Sequence, residues 1–155
     1  MEELTFRPLT DDDKRRICDW KYNGPYEIYN LPSCGKLKAK QKGFYNPHAE
    51  RDYLGFWNGD LLIGYVRLRE EDNEVFIGIG VNPQYCGMHY GRKILQMSYI
   101  ISRERSGRKP LYLIVRAWNQ RAIRCYQSAG FQVDGKPFPL TACGGTDLYL
   151  RMTKA

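Results

Sequence analysis

The sequence predicts a single α/β domain over residues 1–155, a mixed sheet with helices on its faces. Three observations carry that prediction. Strand-like apolar runs, some alternating in polarity and some almost continuous, recur along the whole chain. In the second half such runs alternate with two amphipathic helical stretches. In the middle, two runs flank Asn58-Gly59, a pair suited to a tight hairpin because both residues tolerate positive φ.

The elements follow in order. "LTFRPLT" alternates and predicts a first strand. Thr10 then caps a helix whose first turn holds Asp11, Asp12 and Asp13 against the positive end of the helix dipole, and the helix should run to about Trp20. From Tyr22 to Pro47 the chain is rich in Gly, Pro, Asn and aromatics, with "KLKAKQK" as a possible short helix; its ring content argues for packing, not for a linker. "YLGFWNGDLLIGYVRLRE" predicts the hairpin, and "EEDNE" turns into a further strand, "VFIGIGV". The next helix places Ile94, Leu95, Ser98 and Ile101 on one face and ends near Ser106-Gly107. "PLYLIVRAW" is apolar almost throughout, as expected of a central strand buried on both faces. "NQRAIRCYQSAGF" predicts a second amphipathic helix stopped at Gly130, and "FQVDG" and "TDLYLRMT" close the sheet. No internal repeat and no domain boundary interrupts this order.

The net charge of +7 is unevenly placed. Between Val75 and Val133 the one acid is Glu104, against Arg92, Lys93, Arg103, Arg105, Arg108, Lys109, Arg116, Arg121 and Arg124; that segment carries +8 and the rest of the chain −1. Such a field favours an anionic ligand, a polyphosphate cofactor or a nucleic acid, or it is a solvated basic surface. No run approaches the roughly 20 apolar residues needed to span a bilayer, and "MEELTFRPL" is not a signal peptide. Cys18, Cys34, Cys86, Cys125 and Cys143 are odd in number and lack paired spacing, as expected of reduced thiols in a cytoplasmic protein. With His48 and His89 the only histidines, no metal site is expected.

"LIVRAWNQRAIRCYQSAGF" carries the most specific pattern: a strand, Asn119, then Ala122-Ile123-x-x-Tyr126 on a helix, and a closing Gly130-Phe131. With the preceding strand, loop and basic helix it resembles the GNAT superfamily of acyl-CoA-dependent N-acyltransferases over nearly the whole chain. The resemblance implies a mostly antiparallel mixed sheet of about six to seven strands, splayed between strands 4 and 5, with helices on both faces.

It also implies a Gln/Arg-x-x-Gly-x-Gly/Ala loop at the start of the basic helix, and "PQYCGMHYGRKIL" meets that pattern incompletely. Either Gln84 and Gly87 stand in the first two places and His89 in the last, or Cys86, His89 and Gly91 stand in the three. The second alignment is preferred, because Pro83 then lies three residues before the motif and Gly91 leads directly into the helix. A loop of this kind holds pyrophosphate through main-chain N–H groups and the helix N-terminus, and those donors survive changes of side chain. Cys86, Gly87, Met88, His89, Tyr90, Gly91 and Arg92 are therefore the expected cofactor loop.

By the same resemblance the acyl-pantetheine arm runs beside "VFIGIGV". The main chain of Ile79, Gly80 and Val81 would bond it, and the Val81 N–H would polarise the thioester carbonyl. Gly78 and Gly80 share a face, leaving room for ligand or for close packing. Asn119 would bond the arm or merely cap the helix, and Arg124 would reach the nucleotide phosphates or face solvent. Tyr126 is the expected general acid, since a phenol of pKa about 10 is a ready donor to the departing thiolate. Glu74 is the expected base, with Glu27, Glu50 and His48 as weaker options. A nucleophilic Cys86 activated by His89 also suits the residues but not the direct transfer usual in the family.

Trp20, Tyr22, Tyr26 and Tyr29, with Asp19 and Glu27, in the aromatic segment after the first helix, could hold a cationic amine or simply pack on the core. The implied activity is transfer of an acetyl group from acetyl-CoA to a primary amine of a small molecule, peptide or protein, without a metal or a membrane, by a monomer or a homodimer. A non-catalytic acyl-CoA-binding module of the same fold is the alternative. Nucleic-acid binding rests on the basic segment alone and is not expected.

Overall fold

Thr10 starts the first helix by a reciprocal cap. Its hydroxyl accepts the Asp13 N–H at 3.2 Å, and the Asp13 carboxylate accepts the Thr10 N–H at 2.9 Å. The helix, α1 (Asp11–Cys18), follows a short first strand, β1 (Thr5–Arg7). These come from a computed structural model of the chain, which describes residues 3–142 and 145–155. α1 stops at Cys18, short of Trp20, because the Asp19 N–H turns back to the Arg16 carbonyl. Pro8, which lacks a donor, follows directly on β1.

Beyond α1 the aromatic segment folds into short helical turns: a 3₁₀ turn over Gly24–Tyr29, α2 (Cys34–Ala39) and further 3₁₀ turns over Gly43–Tyr45 and Glu50–Asp52. The hairpin β2 (Tyr53–Asn58) and β3 (Leu61–Glu70) turns at Gly59-Asp60, one residue later than expected, with Asn58 paired to Leu61. Then come β4 (Val75–Val81), α3 (Tyr90–Ser106), β5 (Leu111–Arg116), α4 (Gln120–Ser128), β6 (Gln132–Val133), β7 (Phe138–Ala142) and β8 (Gly145–Lys154). α3 ends where predicted, with Gly107 at φ 68°. α4 ends on Gly130, φ 96°, where the Phe131 N–H returns to the Tyr126 carbonyl.

The strands bond in the order β1-β2-β3-β4-β5-β8-β6, with β7 on β8; β4 and β5 are parallel and the other described pairs antiparallel. The sheet thus has eight strands where six or seven were expected. The addition is β7, whose Pro139 disguises it; its described pairing is with β8 alone, and an edge strand needs no donor on its outer side. β5 is buried along its length except at Ile114, as its apolar run predicts.

The chain forms two compact units, residues 3–67 with Ile79–Tyr90, and Leu68–Gly78 with Gly91–Ala155. The first is centred on Ile17, Phe44, Tyr53, Trp57 and Leu62, with the rings of Trp20, Tyr45 and Tyr65 packed against them. The second buries Ile77, Leu111 and Met152, together with the predicted face of α3: Ile94, Leu95, Ser98 and Ile101. Cys18, Cys34, Cys86 and Cys125 are free thiols, and Cys143 lies outside the described residues.

Candidate active site

Within the first unit, the last residues of β4 and the loop after them form a continuous backbone feature. Ile79, Gly80 and Val81 are half-buried. The Val81 carbonyl accepts the Tyr22 hydroxyl at 2.7 Å. Asn82 then anchors the chain to β3: its N–H donates to the Ile63 carbonyl at 2.8 Å and its side-chain amide to the Leu62 carbonyl at 3.2 Å. Its Oδ1 accepts the Gln84 N–H at 3.1 Å, starting a single 3₁₀ turn over Pro83–Tyr85.

The loop proper runs through Cys86, Gly87, Met88 and His89. Gly87 and His89 both have left-handed backbone, φ 81° and 65°. His89 thus stands in a conformation that favours glycine, at the place where the preferred alignment puts the motif's first glycine. The Cys86 thiol lies 3.8 and 3.7 Å from the Val81 and Asn82 carbonyls and props the loop on its own strand end. Tyr90, the first residue of α3, accepts a bond from the Asn58 side chain at 3.2 Å and meets the Tyr85 ring edge-on. A helix leaves its first N–H groups without intrahelical acceptors, so the start of α3 offers donors and a positive dipole end to an anion.

Of the two uses open to the face of Gly80, close packing is the one found. A Cβ there would stand 2.5 Å from the Tyr65 ring, which itself lies against Trp20, Phe44 and Tyr53. Burial pushes the Tyr65 hydroxyl well above the usual phenol range. Trp20 accordingly packs on the core. Tyr26 is half-buried, while Glu27 and Tyr29 are exposed on the turn after α1. Of the weaker base options, Glu50 lies 3.8 Å from the Lys14 ammonium and His48 is exposed.

Within the second unit, the parallel β4–β5 ladder consists of two register pairs, Val75 with Leu111 and Phe76 with Tyr112. Among the described residues Ile77 and Gly78 have no β5 partner in that register, which is the parting expected between strands 4 and 5. Gly91 and Arg92 lie in the first turn of α3, and Arg92 is exposed. Asn119 is buried and its Oδ1 accepts the Ala122 N–H at 3.1 Å, so it caps α4. Arg124 is exposed on α4; Tyr126 is half-buried, its ring edge-on to Phe131 at 6.4 Å between centroids.

Glu74, the expected base, is held in an ion pair. Both of its carboxylate oxygens accept from the Arg151 guanidinium, which also donates to Asp134 at 3.1 Å. The two bonds form a fork-shaped ion pair that ties the start of β4 to β8 and takes one lone pair on each oxygen. Among the described residues no group of three or more His, Cys, Asp or Glu is placed to hold a metal, and no helix is long and apolar enough to cross a membrane. Asn30 and Asn82 escaped the sequence-based site, and Tyr22 entered it only as one of the acceptor-side rings. The signal available for Asn82 was the Asn-Pro pair, which marks a turn.

The family model described as "Acetyltransferase (GNAT) family" matches residues 11–131. The chain is 34% identical over 154 residues to N-alpha-acetyltransferase RimI of Mycobacterium tuberculosis, covering 96% of this chain and 90% of that protein. Among solved structures, spermidine N-acetyltransferase from Vibrio cholerae in complex with CoA and spermine superposes with a TM-score of 0.77 at 22% identity, over 97% of this chain and 94% of that one. An acetyltransferase (GNAT family) from Bacillus anthracis gives 0.79 at 12% identity, over 98% and 94%. At such identities the two structures speak for the fold alone.

Proposed function

The chain belongs to the acetyltransferase (GNAT) family and is an acetyl-CoA-dependent N-acetyltransferase; we propose that residues 1–155 act as one domain that moves the acetyl group directly to a primary amine. The observation that carries this reading is the run from β4 to α3. There a half-buried strand end leads through two left-handed residues into a helix N-terminus beside Arg92. In this reading the main chain of Ile79, Gly80 and Val81 bonds the pantetheine arm, and residues 86–92 take the pyrophosphate through backbone N–H groups. Arg124 adds charge toward the nucleotide phosphates, and Asn119 sets the first turn of α4.

The neutral amine attacks the thioester carbonyl, whose growing negative charge is met by the Val81 N–H. The carbon–sulfur bond then breaks, and Tyr126 gives its proton to the departing CoA thiolate. The nitrogen loses its proton to solvent, and Tyr126 is reprotonated from solvent. Solvent is assigned that role, with Glu74, paired to Arg151 through both oxygens, as the alternative acceptor. No acyl-enzyme is required.

The acceptor belongs to a class, not a single compound. RimI is by name an Nα-acetyltransferase, and the Vibrio cholerae structure holds spermine, so peptide N-termini and polyamines are the two families of amine to try first. Glu27, with Tyr26 and Tyr29 on the same turn, suits either cation by charge and ring contacts. Free thiols at four described cysteines accord with a cytoplasmic setting, and the reading holds equally for a monomer or a homodimer.

Calorimetry with acetyl-CoA, followed by an amine panel monitored through free thiol, tests the proposal. Binding, with thiol released by a peptide α-amine or a polyamine, is expected. Absence of binding at millimolar acetyl-CoA overturns it. Binding without thiol release from any amine points instead to a non-catalytic acyl-CoA-binding module, and steeply salt-dependent RNA binding that CoA does not displace to a different use of the basic segment.

A further inference from the structure

We propose that Tyr22 is a positioning residue for the transfer, holding the peptide at the end of β4 so that the acetyl group of the cofactor meets a fixed main chain. The proposal rests on the reading above that Val81 faces the thioester. The peptide joining Val81 to Asn82 is held at both ends. Its carbonyl accepts the Tyr22 hydroxyl at 2.7 Å, and its N–H donates to the Ile63 carbonyl of β3 at 2.8 Å. Bonds in series through one peptide polarise each other and prevent the plane from rotating. The held plane meets, at the Val81 Cα, the preceding peptide that carries the Val81 N–H; fixing it limits the ψ of Val81 and so steadies that N–H, and it sets the departure of the loop toward Cys86.

Tyr22 is itself clipped. The Asn30 side-chain amide accepts the Tyr22 N–H at 2.7 Å and donates back to the Tyr22 carbonyl at 3.4 Å. That pair closes residues 22–30 into a loop carrying Tyr26, Glu27 and Tyr29 on its 3₁₀ turn. One hydroxyl therefore joins the segment proposed for the acceptor to the strand end proposed for the thioester. The strand end does not depend on it for folding, because Asn82 supplies two further bonds to β3.

Tyr22→Phe removes only the hydroxyl. In the full chain, calorimetry should show acetyl-CoA affinity falling roughly three- to tenfold, the effect of one neutral hydrogen bond, with affinity for CoA lacking the acetyl group nearly unchanged. The Asn82 amide should exchange its hydrogen faster than in the parent chain, and the melting temperature should fall by only about 1–6 °C. Asn30→Ala should shift acetyl-CoA affinity in the same direction, and adding it to Tyr22→Phe should cost nothing more, because Asn30 acts through Tyr22. Unchanged acetyl-CoA affinity, an equal loss for acetyl-CoA and CoA, or additive effects of the two changes would each overturn the proposal. If Tyr22→Phe does not fold, Asn30→Ala alone decides through the same acetyl-CoA and CoA comparison. If the parent chain binds no acetyl-CoA, it is the transferase reading that fails.

Discussion

The Tyr65 ring occupies the volume that a side chain on Gly80 would need, its Cε1 standing 2.5 Å from the position of a Cβ there. Trp20, Phe44 and Tyr53 hold that ring, so it cannot swing aside cheaply. Gly80→Ala should destabilise the protein by about 1–3 kcal/mol in urea unfolding, the range for overpacking. In a Tyr65→Ala background most of that penalty should vanish. An equal penalty in both backgrounds would mean that the crowding lies elsewhere.

His89 has φ 65° with a side chain attached. Histidine tolerates this region better than most residues, yet glycine has no Cβ to strain there. His89→Gly should leave acetyl-CoA binding intact and raise stability by about 0.5–1 kcal/mol, with some of the relieved strain offset by the extra freedom of glycine in the unfolded chain. A destabilised variant would show that the imidazole makes a contact worth more than the strain.

Tyr126→Phe keeps the ring against Phe131 and removes the proton proposed for the leaving thiolate. Turnover should fall by about 100-fold or more, as for loss of a general acid, while acetyl-CoA affinity stays within about threefold. Turnover equal to the parent's would remove Tyr126 from the chemistry.

Glu74→Gln separates ion pair from base. With both partners partly exposed, loss of the Arg151 pair should cost about 1 kcal/mol of stability. Turnover at saturating substrates should stay within about threefold. A collapse of turnover with unchanged stability would restore Glu74 as the base.

Asp13 gives the fold an acid-sensitive point. Burial raises its carboxyl, but bonds from the Thr10 backbone and hydroxyl and from Arg7 outweigh burial and hold it below the ordinary aspartate value. A depressed folded value stabilises fully above the unfolded value, about 3.9, and that contribution is lost as pH falls through the lower folded value. Asp13→Asn should therefore be destabilised by roughly 1 kcal/mol at pH about 6, and the gap from the parent should close as pH falls below the ordinary aspartate range. A gap that is constant with pH would mean that the carboxylate's charge is not what stabilises this helix start.

Local chemistry was legible without coordinates wherever a few neighbouring residues decide the outcome. Thr10 with three aspartates dictates a helix start, Gly107 and Gly130 end helices, and Ile94, Leu95, Ser98 and Ile101 declare a buried face by spacing alone. The family was legible for the same reason, since Asn119, Tyr126 and Gly130-Phe131 lie within one helix and its caps. β7 was not, because Pro139 argues against a strand until its position at an edge is known.

The surroundings that stayed hidden are those settled by residues far apart in sequence. Glu74 looks like a free carboxylate until Arg151, 77 residues on, takes both its oxygens. The face of Gly80 leaves ligand and packing both open until Tyr65 decides for packing. Tyr22 is one more ring in an aromatic stretch until its hydroxyl is found on the Val81 carbonyl, 59 residues away. The sequence by itself determined the helix caps, the apolar faces and the family. Which polar groups remain available for chemistry was decided only by the tertiary structure, because a hydrogen bond or a close packing contact depends on distance in space, and spacing along the chain reports that only within a turn or two.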